Sequence, residues 1–212
     1  MILAATTPES LDPARFFTFL ILAMAGSMMK VRLPGIEGTF SPDFLLILVG
    51  IVELGLGQTV VMAACCATMQ SMWKAEKRPS LRQVAFNVAS VSASVAMAHY
   101  SYHLIARLRP DQREVVMLLF AAAVYFAVNT LLVSGILSIV ESKPILKVWQ
   151  TWFLWAFPLY LVGAGIAIGM ARGIATSDWK ISLVSLPLMI LAYISYRSIV
   201  RTIVRQHDAP GV

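Results

Sequence analysis

Charge is scarce in this sequence. Lys, Arg, Asp and Glu make up 13% of the 212 residues, against 58% hydrophobic, where a soluble domain carries about a quarter charged. That shortage excludes an ordinary water-facing surface. Apolar runs recur along nearly the whole chain, with a mean hydropathy of +0.76, and these read as an integral membrane protein. Cysteine is nearly absent too. Cys65 and Cys66 are neighbours in one apolar helix, and adjacent cysteines rarely bridge each other, so no disulfide framework is expected. They read as small apolar packing groups, with a redox or metal role as the alternative.

Long polar stretches are missing, which excludes a second, soluble domain: every connection is short, and residues 1–212 read as a single membrane domain. A basic region ahead of the first apolar run is missing from "MILAATTPESLDPARFF", so no removable signal peptide is expected and the first helix is retained. Nucleotide-binding loops, zinc-protease motifs and nucleophile elbows are also missing. The sequence therefore predicts no enzyme, cofactor or metal. His207 and Asp208, in the tail's "QHD", lack the further ligands that a phosphohydrolase site needs.

Apolar segments are present at about 15–29, 41–55, 58–73, 83–106, 114–140, 150–172 and 181–204. The second and third, joined by "ELGLGQ", would be about 50 Å long as one helix. An apolar bilayer core is about 30 Å thick, so a tight helical hairpin turning at Gly55 and Gly57 is expected. The fold class is thus all-α, a polytopic membrane bundle of six to seven transmembrane helices. Ser41 is the expected N-cap of the second helix, with Pro42 at its first position and Asp43 complementing the helix dipole; an acid facing a ligand is the other reading of Asp43.

The net charge of +6 does not point to nucleic acid, because the basic residues sit at helix ends. Lys30, Arg32, Lys74, Lys77, Arg78, Arg82, Lys143, Lys147, Arg197, Arg201 and Arg205 fall on one side. Arg15, Arg107, Arg109, Arg113, Arg172 and Lys180 fall on the other. The richer side should be cytoplasmic, which places the C-terminus inside and makes this a multi-pass protein of the inner (plasma) membrane. In the sixth segment, Trp149, Trp152 and Trp155 read as an interfacial girdle, Pro158 as a kink, and Gly165 with Gly169 as a GxxxG contact.

Against this apolar background the polar residues stand out. In "VAFNVASVSASVAMAHYSYHLI", Asn87, Ser90, Ser94, Ala98 and Ser101 form one stripe of a helix, and Ala85, Ser92, Ala96, His99 and His103 form another. A helix with two such faces belongs in the middle of a bundle. Asn87 offers more donors and acceptors than its own helix can satisfy, so it either ties two helices together or faces a small ligand. Asn129 stands in a similar setting in "VYFAVNTLLVS", on a face with Tyr125, and the two carboxamides at similar depth would make a ligand floor. Glu53, beside the glycine turn, is either a site residue or is lifted to the headgroups. His99 and His103 share the i, i+4 spacing of metal pairs, but no acid lies within the motif. Interfacial packing beside Tyr100 and Tyr102, metal binding and pH sensing are the readings open to them.

The order of features, "TFSPDFLLILVGIVELGLGQTVVMAACCATMQSMWK", "LRQVAFNVA", "VYFAVNTLLVSGILS", "WFLWAFPLYLVGAGIAI" and "LPLMILAYISYR", resembles the N-terminal membrane regions of bacterial HD-type phosphohydrolases and diguanylate cyclases. Phe86 with Asn87, Tyr125 with Asn129, and Leu186 with Pro187 carry the likeness. The early part is similar to the substrate-binding S components of energy-coupling-factor vitamin transporters. The resemblance implies a ligand- or membrane-state-sensing bundle; the chain departs from it at Val212, where the cytoplasmic enzyme would begin. The expected function is a stand-alone membrane sensor or small-ligand-binding module, with Asn87, Asn129, Tyr125, Ser90, Ser94 and Glu53 as ligand-binding candidates. The alternatives are an S-component-like transport subunit with an ATPase partner, and a structural subunit without ligand. Arg197, Arg201 and Arg205 share a ridge at the exit of the last helix, suited to anionic lipid headgroups or to a cytoplasmic signalling partner.

Overall fold

The structure is a computed structural model describing residues 13–32, 39–73, 75 and 78–176, together with Pro187, Ile190 and Ile194. Seven α-helices occur among the described residues: α1 Pro13–Ser27, α2 Asp43–Glu53, α3 Leu56–Met72, α4 Leu81–Leu108, α5 Glu114–Glu141, α6 Ile145–Trp152 and α7 Phe157–Thr176. A two-residue antiparallel pair, β1 Val31–Arg32 and β2 Thr39–Phe40, closes the connection between α1 and α2 with Val31 opposite Phe40. Of the last expected segment, 181–204, only Pro187, Ile190 and Ile194 are described, each helical and exposed. Leu186 and the ridge of Arg197, Arg201 and Arg205 lie outside the described residues, as does the chain before Pro13.

The turn between α2 and α3 forms at Leu54 and Gly55, while Gly57, expected to share it, is already the second residue of α3. Gly55 is extended and donates its N–H to Gln58 Oε1 at 3.2 Å. Thr59 Oγ1 then bonds back to the carbonyl oxygens of Gly50 (2.9 Å) and Gly55 (3.0 Å), pinning the first turn of α3 to the end of α2. The start of α2 differs from expectation. Pro42 occupies the cap position with no side-chain cap, and Ser41 gives its hydroxyl proton to the Asp43 carboxylate instead. At α4, Ser80 and Gln83 make a reciprocal capping box, with Ser80 N–H to Gln83 Oε1 at 2.8 Å and Gln83 N–H to Ser80 Oγ at 3.3 Å. The end of α5 is set by Ser142, in the left-handed region at φ 52°, with Lys143 N–H on the Ser138 carbonyl and Pro144 following.

The helix at the centre is α2, not α4. Every residue from Asp43 to Ile51 is buried, enclosed by α1, α3, α4, α5 and α7. Its sequence, "DFLLILVGIVE", has no polar face after the first residue, which is the pattern of a helix covered on all sides. The longer α4 packs between α3 and α5 and buries one stripe, Ser90, Val91, Ser94, Val95, Ala98 and Tyr102. Its second small-residue stripe is half-exposed at Ser92, Ala96, His99 and His103 and exposed at Ala85.

The sixth segment is two helices rather than one. After α6 a 3-10 turn, Leu154–Ala156, redirects the chain into α7. Aromatic docking fixes the break: Trp149 Nε1 donates to Thr130 Oγ1 at 2.8 Å, and Phe157 and Tyr160 lie 5.1 and 5.0 Å from Phe126 between ring centroids. The close helix approach in α7 is at Gly163, where an added Cβ would lie 2.2 Å from the Phe44 ring. Gly165 and Gly169, the expected contact pair, are exposed, with nothing among the described residues within 4 Å of an added Cβ.

Contacts define two ends. At one, Arg15 of α1 pairs with Glu53 of α2, His99 of α4 meets the Leu54 carbonyl, and Arg172 of α7 lies 3.8 Å from Glu114 of α5. At the other, Lys30 Nζ donates to the Trp73 carbonyl at 2.6 Å and Gln70 meets Ser41. Arg15 and Arg172 thus fall at one end and Lys30 at the other, as charge counting separates them. Among the described residues α5 is the one helix both long and apolar enough to cross a membrane, while α1 and residues 160–173 are shorter apolar helices.

Candidate functional site

Hydroxyl-bearing residues inside these helices mostly satisfy themselves by bonding the carbonyl one turn back. Thr18, Thr68, Ser71, Ser94 and Thr130 all do so, at 2.7–2.8 Å. Two buried serines do not. Ser90 Oγ on α4 and Ser134 Oγ on α5 are enclosed and have no hydrogen-bond partner among the described residues. A buried hydroxyl left unpaired costs about 1–3 kcal/mol, so such a group normally marks a water or ligand.

The two orphans are close in height. A five-residue connection, 109–113, joins α4 to α5, so the helices run antiparallel. Ser90 lies 18 residues before the end of α4 and Ser134 lies 20 residues after the start of α5. At 1.5 Å rise per residue their levels agree to about 3 Å. Asn129, half-exposed at the edge of the buried stripe of α5, has no side-chain hydrogen bond among the described residues and falls on the level between Ser90 and Ser94.

Asn87 is placed differently. Its Nδ2 donates to Ser71 Oγ at 2.8 Å and to the Ala67 carbonyl at 3.4 Å, tying α4 to α3. By the same rise it sits about 9 Å from the level of Asn129, and no hydrogen bond joins the two carboxamides. Ser94 is satisfied by the Ser90 carbonyl. Glu53 pairs with Arg15, their side chains 13% and 26% exposed, on the opposite end of the bundle. Tyr125 turns toward α7, its ring 5.9 Å from that of Tyr160. The six candidates are therefore dispersed, with Asn129 at a level between those of Ser90 and Ser94.

A second polar group, centred on Asp43, surrounds the start of α2. Gln70 Nε2 donates to Ser41 Oγ at 2.6 Å, and Ser41 donates in turn to Asp43 Oδ1. The sequence offers Asp43 as a capping acid or as an acid facing a ligand; the bonds of Gln70 to Ser41 and of Asn87 to Ser71 join residues 29 and 16 positions apart and have no local signal. The Asp43 carboxyl lies within electrostatic range of the Cys66 thiol and the Tyr125 hydroxyl. His99 and His103 stack with centroids 4.3 Å apart, and His99 Nε2 lies 3.4 Å from the Leu54 carbonyl oxygen. Among the described residues no group of three or more His, Cys, Asp or Glu is arranged to hold a metal ion.

Comparison of the chain with protein-family models, with curated proteins and with solved structures gave no match.

Proposed function

We propose that the chain is a polytopic helical protein of a bacterial inner membrane, with six to seven spans and its C-terminus inside, that binds a small ligand between α4 and α5. It acts as a sensor or binding module, passing its signal to a cytoplasmic partner. The outward surface supports the membrane reading: Phe17, Ile21, Met97, Phe120, Ile139 and Val162 are all at least half exposed, on outer faces where a soluble bundle would carry charge. The partition of basic residues between the two ends supports the orientation.

The observation that carries the ligand reading is the hydroxyl of Ser90, buried on α4 without a partner among the described residues, within about 3 Å of the level of Ser134 and about one helical turn from that of Asn129. In hydrocarbon such a group has no water to turn to. The ligand class that fits is a small amphipathic molecule, with a hydrogen-bonding head for these side chains and an apolar body for the surrounding helix faces. Native mass spectrometry of the purified chain in detergent tests this. Wild type carries a co-purifying small molecule that is lost or reduced in Ser90→Val with Asn129→Leu. Identical mass spectra from both proteins would overturn it.

A second reading, a structural subunit without ligand, is favoured by one observation. Both donors of Asn87 are used within the protein, so this residue acts as interhelical glue.

A further inference from the structure

The histidine pair of α4 is unaccounted for by a ligand between α4 and α5. His99 and His103 sit one turn apart, both half-buried, with ring centroids 4.3 Å apart and planes tilted by 42°. Tyr102 meets the His103 ring edge-on, at 5.1 Å and 85°. The other contact of His99 fixes its tautomer. A carbonyl oxygen only accepts, so the Nε2 that lies 3.4 Å from the Leu54 carbonyl is the nitrogen carrying hydrogen. Leu54 is the C-cap of α2, followed at once by Gly55, the N-cap of α3. His99 thus ties α4 to the hairpin turn between α2 and α3.

Charged and titratable groups share this end from each surrounding element. Arg15 of α1 and Glu53 of α2 are paired with each other. The first nine residues of α3, "LGQTVVMAA", contain no titratable group. On α4 itself are Tyr100, Tyr102 and, one turn past His103, the exposed Arg107. Glu114 of α5 lies 3.8 Å from Arg172 of α7, and Arg109, Asp111 and Arg113 are exposed in the α4–α5 connection. Glu53 and Glu114 are therefore each engaged by a guanidinium. A proton added to the stack puts charge in a half-buried place, and a second puts two like charges one ring-width apart. Such a pair titrates as a unit.

We propose that His99 and His103 form a proton-sensitive latch on the α2–α3 turn. While both imidazoles are neutral the rings stack and His99 donates to the Leu54 carbonyl. As the pair takes up protons from water, the rings separate and turn outward, and the bond from His99 to Leu54 is lost. The turn is then held to α4 by apolar contact alone and loosens. On the orientation proposed above, this end faces away from the cytoplasm, so the latch responds to pH outside the cell. Its action needs neither that orientation nor a ligand between α4 and α5.

Electron paramagnetic resonance of the full chain in lipid nanodiscs tests this. A nitroxide is placed at Gly57→Cys, in a chain carrying Cys65→Ala and Cys66→Ala; Gly57 is exposed, with nothing among the described residues within 4 Å of an added Cβ. With both histidines present, label mobility should be low at about pH 8 and rise toward about pH 5, the range in which histidine changes charge. His99→Gln, whose amide N–H still reaches Leu54 but does not titrate, should stay immobile throughout. His99→Phe, which cannot donate, should be mobile throughout. His103→Phe should raise the midpoint, because His99 then takes its proton beside a ring that never charges. Mobility independent of pH with both histidines in place, or an equal rise in His99→Gln, overturns the proposal. Should the His99 variants fail to fold, His103→Phe decides: an unmoved midpoint overturns the pairing.

Discussion

Asn87 of α4 and Ser71 of α3 are joined by a hydrogen bond of 2.8 Å from Nδ2 to Oγ. In a bilayer no water competes for that bond, yet measured interhelical bonds of this kind contribute only about 0.6 kcal/mol on average, and at most about 2 kcal/mol. A double-mutant cycle of Asn87→Ala and Ser71→Ala, read by reversible unfolding in mixed micelles, should return a positive coupling in that range. Coupling indistinguishable from zero would remove Asn87 as an interhelical tie.

Arg15 and Glu53 form the charged contact between α1 and α2, each side chain largely but not fully enclosed. Surface pairs contribute about 0–1 kcal/mol, whereas removing one partner of a buried pair costs about 3–5 kcal/mol. Glu53→Ala should therefore destabilise by about 1–3 kcal/mol, because it leaves the guanidinium without its carboxylate. Arg15→Met with Glu53→Leu should recover most of that loss. If the single and double variants melt alike, the pair does not hold α1 to α2.

Gly163 and Gly165 make a matched comparison on one helix. A methyl at Gly163 collides with the Phe44 ring, while a methyl at Gly165 meets nothing among the described residues. Gly163→Ala should cost about 1–3 kcal/mol through displacement of Phe44, and Phe44→Leu in the same chain should relieve it. Gly165→Ala should be neutral or slightly stabilising. Equal melting temperatures for the two alanine variants would contradict the placement of α7 against α2.

Much of the helix pattern was legible because apolar run length and polar punctuation are local. The read segments 41–55, 58–73, 83–106 and 114–140 fall on α2, α3, α4 and α5 within about two residues at each end. What was not legible depended on contacts between distant residues. The break between α6 and α7 follows from Trp149 docking on Thr130 and from the ring cluster at Phe126, neither of which has a period in sequence. The Ser71 bond to Asn87 spans 16 residues and leaves no trace in either helix alone. The centrality of α2 is present in its unbroken apolar run, whereas the small and polar stripes of α4 fit a central helix as well as one packed between two neighbours. For the site, Ser90 and Asn129 were visible as polar residues in apolar helices. Which of the polar groups already had partners was not, since that is decided only when the helices pack.

Membrane orientation gives a prediction in cells. In a chain carrying Cys65→Ala and Cys66→Ala, Asp111→Cys lies in the exposed α4–α5 connection and Ser80→Cys at the opposite end of α4. A membrane-impermeant thiol reagent should label position 111 in intact spheroplasts and position 80 only after lysis. Equal labelling of both in intact spheroplasts, or recovery of the chain in the soluble fraction, would contradict the spanning bundle.

The most direct measurement is a crystal structure of the full chain grown from a lipidic phase, at a resolution that shows ordered small molecules beside Ser90. A ligand between α4 and α5 predicts non-protein density within hydrogen-bond distance of Ser90 Oγ and extending toward Asn129. A Ser90 hydroxyl turned onto the Phe86 carbonyl, with side chains filling the space beside it, would contradict the account.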